Sequence, residues 1–378
     1  MIVLKASQAD VLGALQAVAG IVERRHTLPI LANVLIRKTG EQIEFTTSDL
    51  EIQVSMRLAL GGDSGNFATT VSARKLTEIL RAMPTDQSVT LTANASRVTL
   101  QGGRSRFHLH TLPADDFPLV AQAAGLGAAF SVPQPVLKAL IEQVAFAMAV
   151  QDIRYFLNGV LFIADGNKLR LVATDGNRLA LAEATVDVEL PKQQVILPRK
   201  AVHELQRHLR EPAAKNSGDQ AVDALVQIRF SAAQATFSLN GVEFVTKLVE
   251  GRFPDFNRVI PQGNPHAVTL GRAPFLAGLQ RASILTSEKF RGIRVNVAPG
   301  ALRIAASNAE HDEADEDLEI DYGGDSIEIG FNVTYLLDVL SKTDADMVRM
   351  ELQDASSSVL FTFPDRVGFK YVVSPMRL

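Results

Sequence analysis

A chain of 378 residues, 47% of them apolar, has material for two or three domains of ordinary size, each with its own core. It contains no cysteine, which excludes disulfides and thiolate metal sites, and its net charge of −4 argues against a surface that coats nucleic acid indiscriminately, so any basic surface must be local. No apolar run approaches the ~18–20 residues that cross a bilayer, and Lys5 and Asp10 come too early for a secretory signal, so a soluble cytoplasmic protein is expected.

From the start of the chain, Val11, Leu12, Leu15 and Val18 recur at three- and four-residue spacing, which predicts an amphipathic helix over 7–19. Residues 27–52, TLPILANVLIRKTGEQIEFTTSDLEI, then read as apolar strand, turn, apolar strand and small polar turn. Residues 69–83, TTVSARKLTEILRAM, read as a short strand leading into a helix. Period-two alternation marks strands at SVTLTA and RFHLHT. In the latter region Arg104 and Arg106 are expected on one strand face, with Phe107 and Leu109 on the other. His108 and His110 also share a face, and without nearby carboxylates they read as an exposed pair rather than a metal site. Asp115 and Asp116 precede a linker.

The same order then returns twice. A helix is expected over 133–147, residues 154–179 repeat the pattern of 27–52 with Asn158 in the place of Asn33, and 195–209 repeat that of 69–83. ATDGNRLA, at 173–180, lies between two apolar strands and is a hairpin turn rather than a nucleophile site. A third copy carries a helix over 273–284, the strands of 289–313, and a strand and helix over 327–341. Boundaries fall in the small-residue or Gly/Pro stretches near 121–129 and 261–267, giving domains 1–125, 126–262 and 263–378. Three similar α+β domains, each with two helices and two small antiparallel sheets, amount to six pseudo-repeats and suggest a ring or an arc.

The third domain contains EHDEADEDLEID, residues 310–321, with eight carboxylates in twelve positions and no Lys or Arg. From Asp315 onward, Asp317, Glu319 and Asp321 alternate with Leu318, Ile320 and Tyr322, the pattern of a strand with one acidic and one apolar face. A calcium loop is excluded by the absence of its turn glycine. Two readings remain: a charged edge that prevents aggregation, or a surface that meets the basic stretch 97–110 of a second copy. Head-to-tail contact of the second kind closes a two-chain, six-domain ring when the rotation is right. Basic residues also line helices, at Arg74, Lys75 and Arg81 and at Arg199, Lys200, Arg207 and Arg210 against Glu204 and Glu211. They form either a solvated face or a positive inner wall making sequence-independent phosphate contacts. Neither a G-x-x-x-x-G-K-[ST] loop nor a G-x-G-x-x-G turn occurs, and no catalytic constellation is evident.

TLPIL (27–31), GRSRF (103–107), VATDGNRLA (172–180), KLVEGRFPDF (247–256), EKFRGIR (288–294), IGFNVTYLLDVL (329–340) and the terminal YVVSPMRL (371–378) occur in this order. Through them the chain resembles the bacterial sliding clamps, the beta subunits of the replicative DNA polymerase III, over essentially its whole length. The resemblance implies the DNA-clamp fold, three domains forming half of a ring, and a head-to-tail homodimer around duplex DNA. It also implies a clamp loader that opens the ring, and tethering of the replicative polymerase and other clamp-binding-motif proteins, with no enzymatic activity, cofactor or metal. Carried over by position, the dimer interface falls on Lys75, Arg97, Arg104, Arg106 and Phe107 against Ile284, Leu285, Asp312, Glu313, Asp315 and Glu316. DNA contact falls on Arg25, Arg74, Arg81, Gln151, Tyr155, Arg199, Lys200 and Arg207. The partner-peptide pocket falls on Leu157, Thr174, Gly176, Asn177, Arg178, Leu179, Pro254, Val259, Val372, Ser374, Pro375, Met376 and Arg377. Ser374 stands where well-known relatives carry Met, and Asn177 where they carry His, which leaves peptide preference open. The other functional readings are a specialised clamp paralogue and a DNA-acting enzyme on a ring scaffold.

Overall fold

The computed structural model describes residues 1–23, 27–94, 97–121, 123–211, 224–287 and 291–378; Arg25, expected to contact DNA, lies outside them. The first repeat supplies β1 (Ile2–Ser7), α1 (Gln8–Val18), β2 (Asn33–Gly40), β3 (Gln42–Ser48), β4 (Ile52–Ala59), β5 (Gly65–Ser72), α2 (Ala73–Arg81), β6 (Ser88–Asn94), β7 (Arg97–Gly102) and β8 (Ser105–Leu112). The second supplies β9 (Phe130–Pro133), α3 (Gln134–Val144), β10 (Gly159–Thr174), β11 (Arg178–Pro198), α4 (Arg199–His208), β12 (Leu225–Phe230), β13 (Gln234–Leu239) and β14 (Val242–Lys247). The third supplies β15 (His266–Gly271), α5 (Arg272–Ser283), β16 (Gly292–Ala298), β17 (Ala301–Ser307), β18 (Glu313–Glu319), β19 (Ile327–Asn332), α6 (Val333–Ser341), β20 (Met347–Leu352), β21 (Val359–Thr362) and β22 (Phe369–Val373). Among the described residues six α-helices stand where the apolar spacing and the repeat placed them, two per repeat.

These elements form two compact units, Met1–Pro135 with His203–Leu248, and Val136–Val202 with Val249–Leu378. In the first unit, Ser7 caps α1 by accepting the Asp10 amide, and Val11, Leu15 and Val18 bury one helix face. The helix α2 starts at Ser72 and buries Leu76 and Leu80 beside α1. All the strands of this unit belong to one twelve-stranded antiparallel sheet, ordered β1-β6-β7-β8-β5-β2-β3-β4-β14-β13-β12-β9. In the second unit, β10, β11, β22, β21, β20 and β15 form one sheet, and β18, β17, β16 and β19 another, with α5 and α6 packed together through apolar faces that include Phe275, Leu279, Leu336 and Leu340.

The sheets are larger than a two-per-repeat pattern suggests, because strands of successive repeats pair with each other. In the first unit β14 of the second repeat docks on β4 of the first, with Gln53 opposite Val245 and Val54 opposite Phe244. In the second unit β22 of the third repeat docks on β11 of the second, with Leu179 opposite Val372 and Ala180 opposite Tyr371. Phe244 and Tyr371 are both fully buried, so each joint is sealed by an aromatic ring on the incoming strand.

Arg104 is not on a strand. β7 and β8 end at the pair Gly102–Ser105, so Gly103 and Arg104 form the two-residue hairpin turn, with Gly103 at a φ of 56°. Among the described residues no helix is long and apolar enough to cross a membrane.

Candidate functional site

A buried apolar cluster in the second unit contains three of the residues expected to bind peptide, and others lie near it in the chain. Leu157, Leu179 and Val372 are at most 2% exposed and belong to one cluster with Phe253 and Phe256. Above them runs the β10–β11 turn. Asp175 Oδ1 accepts the amides of Asn177 (3.0 Å) and Arg178 (3.1 Å), Thr174 Oγ1 accepts the Gly176 amide at 3.1 Å, and Gly176 takes a φ of 94° that only glycine adopts without strain. The Ser374 amide donates to the Asn177 carbonyl at 2.8 Å, so the turn holds the segment that follows β22. That segment is anchored again where the Met376 amide donates to Gly330 O at 2.7 Å. Gly330 makes this possible: a Cβ there would lie 2.2 Å from Met376 O. Ser374, Pro375 and Met376 are half-buried, while Pro254, Val259 and Arg377 are exposed at the rim.

Arg178 supports this surface from below. Its Nε donates to Asp175 Oδ2 at 3.0 Å, Nη1 to Asp338 of α6, and Nη2 to the Phe146 carbonyl at 2.7 Å, and its guanidinium lies 4.5 Å from the centre of the Tyr335 ring. With a side chain only 10% exposed, it serves as an internal tie rather than a free cation. Burial pushes the Tyr371 phenol far above its usual range, and the neutral hydroxyl donates to Tyr335 O at 2.9 Å. Arg154 braces the other side of the turn: it grips Asp152 through Nε (3.0 Å) and Nη2 (2.8 Å) and reaches Asp175 O at 3.4 Å. Those hydrogen bonds from Arg154 pull the Asp152 carboxyl down to about 2. The sequence reading missed Arg154, Tyr335 and Asp338; the one available signal was an isolated aspartate in the otherwise uncharged helix VTYLLDVLS.

The residues expected at DNA fall in both units. In the first, Arg74 and Arg81 are exposed on α2, and Arg74 pairs with Glu78 at 2.7 Å one turn away. Arg207 donates to the Gln16 (3.0 Å) and Ala17 (2.9 Å) carbonyls at the end of α1 and to Glu204, whose side chain is 8% exposed. Gly20 leaves room for that carboxylate, since a Cβ there would sit 2.4 Å from both its oxygens. In the second unit, Gln151 and Tyr155 are exposed in a loop that also presents Ile153, 95% exposed. Arg199 and Lys200 are half-buried, and Arg199 donates to Met148 O at 3.2 Å.

Two exposed strand edges carry residues expected at the dimer interface. β8 pairs with β7 from Ser105 to His110 but touches β5 only at Thr111 and Leu112, so the far side of Ser105–His110 has no partner strand among the described residues. β18 is the outermost strand of its sheet. The first edge carries Arg106, His108 and His110 with Arg104 at its turn and Arg97 beside it; Lys75 is exposed on α2 of the same unit. The second carries exposed Glu313, Asp315, Asp317 and Glu319 and half-buried Ala314, Glu316 and Leu318, so the alternation begins two residues before Asp315 and puts Glu316 on the face opposite the other acids.

Part of this acidity is answered within the chain. Arg303 of β17 binds Asp315 (2.8 Å), and Arg281 of α5 binds Glu316 (2.6 Å), in each case holding the carboxyl below its usual range by hydrogen bonding. Asp312 is fixed in the turn before β18 by Asn308, whose Nδ2 donates to it at 2.9 Å. Ile284, 77% exposed, and half-buried Leu285 follow α5. A groove of about 390 Å³ over the outer face of β16–β18 is lined by Arg294, Asn296, Arg303, Glu313, Asp315 and Glu328, so its walls are charged. No group of three His, Cys, Asp or Glu placed to hold a metal occurs among the described residues.

Models of the DNA polymerase III beta subunit match the chain in three successive parts: the N-terminal domain over residues 3–121, the central domain over 131–255 and the C-terminal domain over 257–377. The beta sliding clamp of Pseudomonas aeruginosa is 43% identical over 367 residues, 96% of each chain, and that of Escherichia coli K12 is 41% identical over 364 residues. Among solved structures, the DNA polymerase III subunit beta from P. aeruginosa superposes with a TM-score of 0.92 at 40% identity, and the Caulobacter crescentus pol III beta with 0.91 at 34%, each over 100% of both chains. The repeated α+β architecture and these likenesses agree, and the chain belongs to the DNA polymerase III beta subunit family, the bacterial beta sliding clamps.

Proposed function

We propose that two copies of this chain close head to tail into a ring around duplex DNA and act as a processivity clamp, a cytoplasmic tether without catalytic chemistry. The observation that carries this reading is the pair of open, oppositely charged strand edges. Strand pairing between repeats occurs twice inside the chain, β4 with β14 and β11 with β22, and the third instance of the series is left unmade at β18 and β8. A second copy supplies both missing strands, and in a closed ring neither of these two edges is left unpaired. Lys75, Arg97, Arg104, Arg106 and Phe107 then face Ile284, Leu285, Asp312, Glu313, Asp315 and Glu316 of the other copy, with domains 1–125, 126–262 and 263–378 as the repeating bodies.

Within such a ring, Arg25, Arg74, Arg81, Gln151, Tyr155, Arg199, Lys200 and Arg207 contact DNA phosphates without reading sequence, weakly enough to slide. The α1 carbonyls fix the orientation of Arg207 before DNA arrives. Partner proteins, the replicative polymerase and the clamp loader among them, dock a short apolar peptide over Leu157, Leu179 and Val372, between the 175–177 turn and the Ser374–Met376 segment.

The test is native mass followed by retention on DNA. A species of twice the 40.9 kDa chain, loaded onto a circular duplex, retained there and lost when the circle is cut, is the expected result. Equal retention on circular and linear DNA, or a monomer at micromolar concentration with and without the loader, would overturn it.

A further inference from the structure

The two joints inside the chain share one register, and that register can be carried to the third. In each receiving strand, the first residue paired after the turn, Gln53 opposite Ser48 and Leu179 opposite Thr174, is the one that meets Val245 or Val372 of the incoming strand. Its successor, Val54 or Ala180, meets the aromatic Phe244 or Tyr371. In the third repeat the first residue paired after the turn is Glu313, opposite Ser307, and its successor is Ala314. On the incoming side, Val242 follows the Asn240–Gly241 turn as Ser105 follows Gly103–Arg104, so Phe244 corresponds to Phe107 and Val245 to His108. The third joint therefore sets Ala314 opposite Phe107, Asp315 opposite Arg106 and Glu313 opposite His108, with His110 diagonal to Glu313.

We infer that ring closure is proton-linked in this protein, because His108 of one copy lies directly across from Glu313 of the other. This rests on the reading that β8 and β18 are the mating edges. Glu313 is exposed and, although it feels the charge of Arg303, makes no direct ion pair among the described residues, whereas its neighbours Asp315 and Glu316 are already held by Arg303 and Arg281, so it is the carboxylate at the start of the strand open to a new cation. His108 is exposed, and its Nδ1 lies 3.0 Å from Thr99 Oγ1, which leaves Nε2 for the joint.

The groups facing His108 are Arg97, Thr99 and Gln101 from β7, Arg106 and His110 from β8, and, across the joint, Glu313 and Asp315 with Arg303 behind them; β5 meets β8 only beyond this point. The acidic strand arriving on assembly favours a protonated imidazole, so association takes up protons. The sign follows: an imidazole ordinarily titrates near pH 6.5, and the dimer tightens as pH falls through that range and loosens toward pH 8.

The experiment measures dimer dissociation by dilution between pH 6 and 8 for the wild type, the His108→Gln/His110→Gln double variant, Glu313→Gln and, as a control on the joint itself, Arg106→Glu. The absence of native cysteine allows a register test in parallel: His108→Cys/Glu313→Cys, compared with the offset pair Arg106→Cys/Glu313→Cys, under mild oxidation. Expected are a roughly threefold to tenfold tighter wild-type dimer at pH 6 than at pH 8, loss of that slope in the double variant and in Glu313→Gln, and covalent dimer from the in-register cysteines in preference to the offset pair. A flat wild-type profile, or a slope that survives in the double variant, with Arg106→Glu still weakening the dimer, overturns the proton linkage and leaves the two-copy reading standing. Preferential linking of the offset pair overturns the register. A dimer insensitive to Arg106→Glu, with neither cysteine pair linking, overturns the mating edges themselves.

Discussion

Glu204 shows how much of a charged residue's behaviour is decided by its immediate neighbours. Burial alone would raise its carboxyl, but hydrogen bonds from His208 and Arg207 outweigh burial and leave it below the usual carboxylate range. A carboxyl lowered in the folded chain stabilises the fold above the unfolded value of about 4.3 and loses that contribution as pH falls below it. Glu204→Gln should therefore cost about 1–2 kcal/mol at pH 7, since Arg207 is partly exposed and keeps its two α1 carbonyls, and the difference from wild type should close below about pH 4. Urea midpoints at the two pH values measure this, and a gap that persists in acid would mean that packing against Gly20, not charge, makes the contribution. The sequence showed Glu204 and Arg207 as members of a mixed helix face and could go no further, because spacing along one helix does not reveal carbonyls at the end of another. For the same reason nothing in the sequence pointed to the partners of Arg178, Asp338 and Phe146 O, which make it an internal tie.

At the level of elements, helices and strand faces were legible because apolar periodicity reports directly which side of an element is buried. The alternation from Asp315 onward gave the acidic face of β18, although the strand starts at Glu313 and ends before Asp321; Arg104 was misplaced, since a basic residue in a two-residue turn continues the strand's pattern in the sequence. Which strands become neighbours was not legible. Period two is the same whether β4 pairs with β14 or with solvent, and pairing between repeats depends on register and curvature that no local pattern carries. The terminal segment after β22 is a further case: its docking depends on the missing side chain of Gly330, where a Cβ would also lie 2.9 Å from Leu378 Cγ. Gly330→Ala should displace residues 374–378 and weaken binding of a short apolar peptide by about tenfold or more, while the thermal transition shifts little because the strand pairs of β19 remain. Unchanged affinity, read by fluorescence anisotropy of a labelled peptide, would remove the terminal segment from the binding surface.

For the whole assembly, the balance between charge and apolar burial decides how the ring responds to its surroundings. Exposed ion pairs contribute about 0–1 kcal/mol each and fade as the screening length drops from about 10 Å at 0.1 M salt to 3 Å at 1 M. Phe107 is 37% exposed and Ile284 77% exposed in the single chain, apolar surface that a partner strand would cover. Both internal joints bury an aromatic ring at the position that Phe107 would hold in the proposed joint between copies, so the apolar contribution should dominate there as well. Covering the parts of Phe107 and Ile284 left exposed contributes together roughly 1.5–3 kcal/mol, and a two-copy ring contains the joint twice. Phe107→Ala should therefore loosen the dimer by about threefold to tenfold per joint at any salt concentration, more than raising salt from 0.1 to 1 M does to the wild type. Sedimentation of both proteins across a dilution series separates the two contributions. A wild-type ring that falls apart at 1 M salt, beside a Phe107→Ala ring indistinguishable from it at 0.1 M, would make the joint essentially ionic and assign its strength to the arginine and carboxylate rows alone.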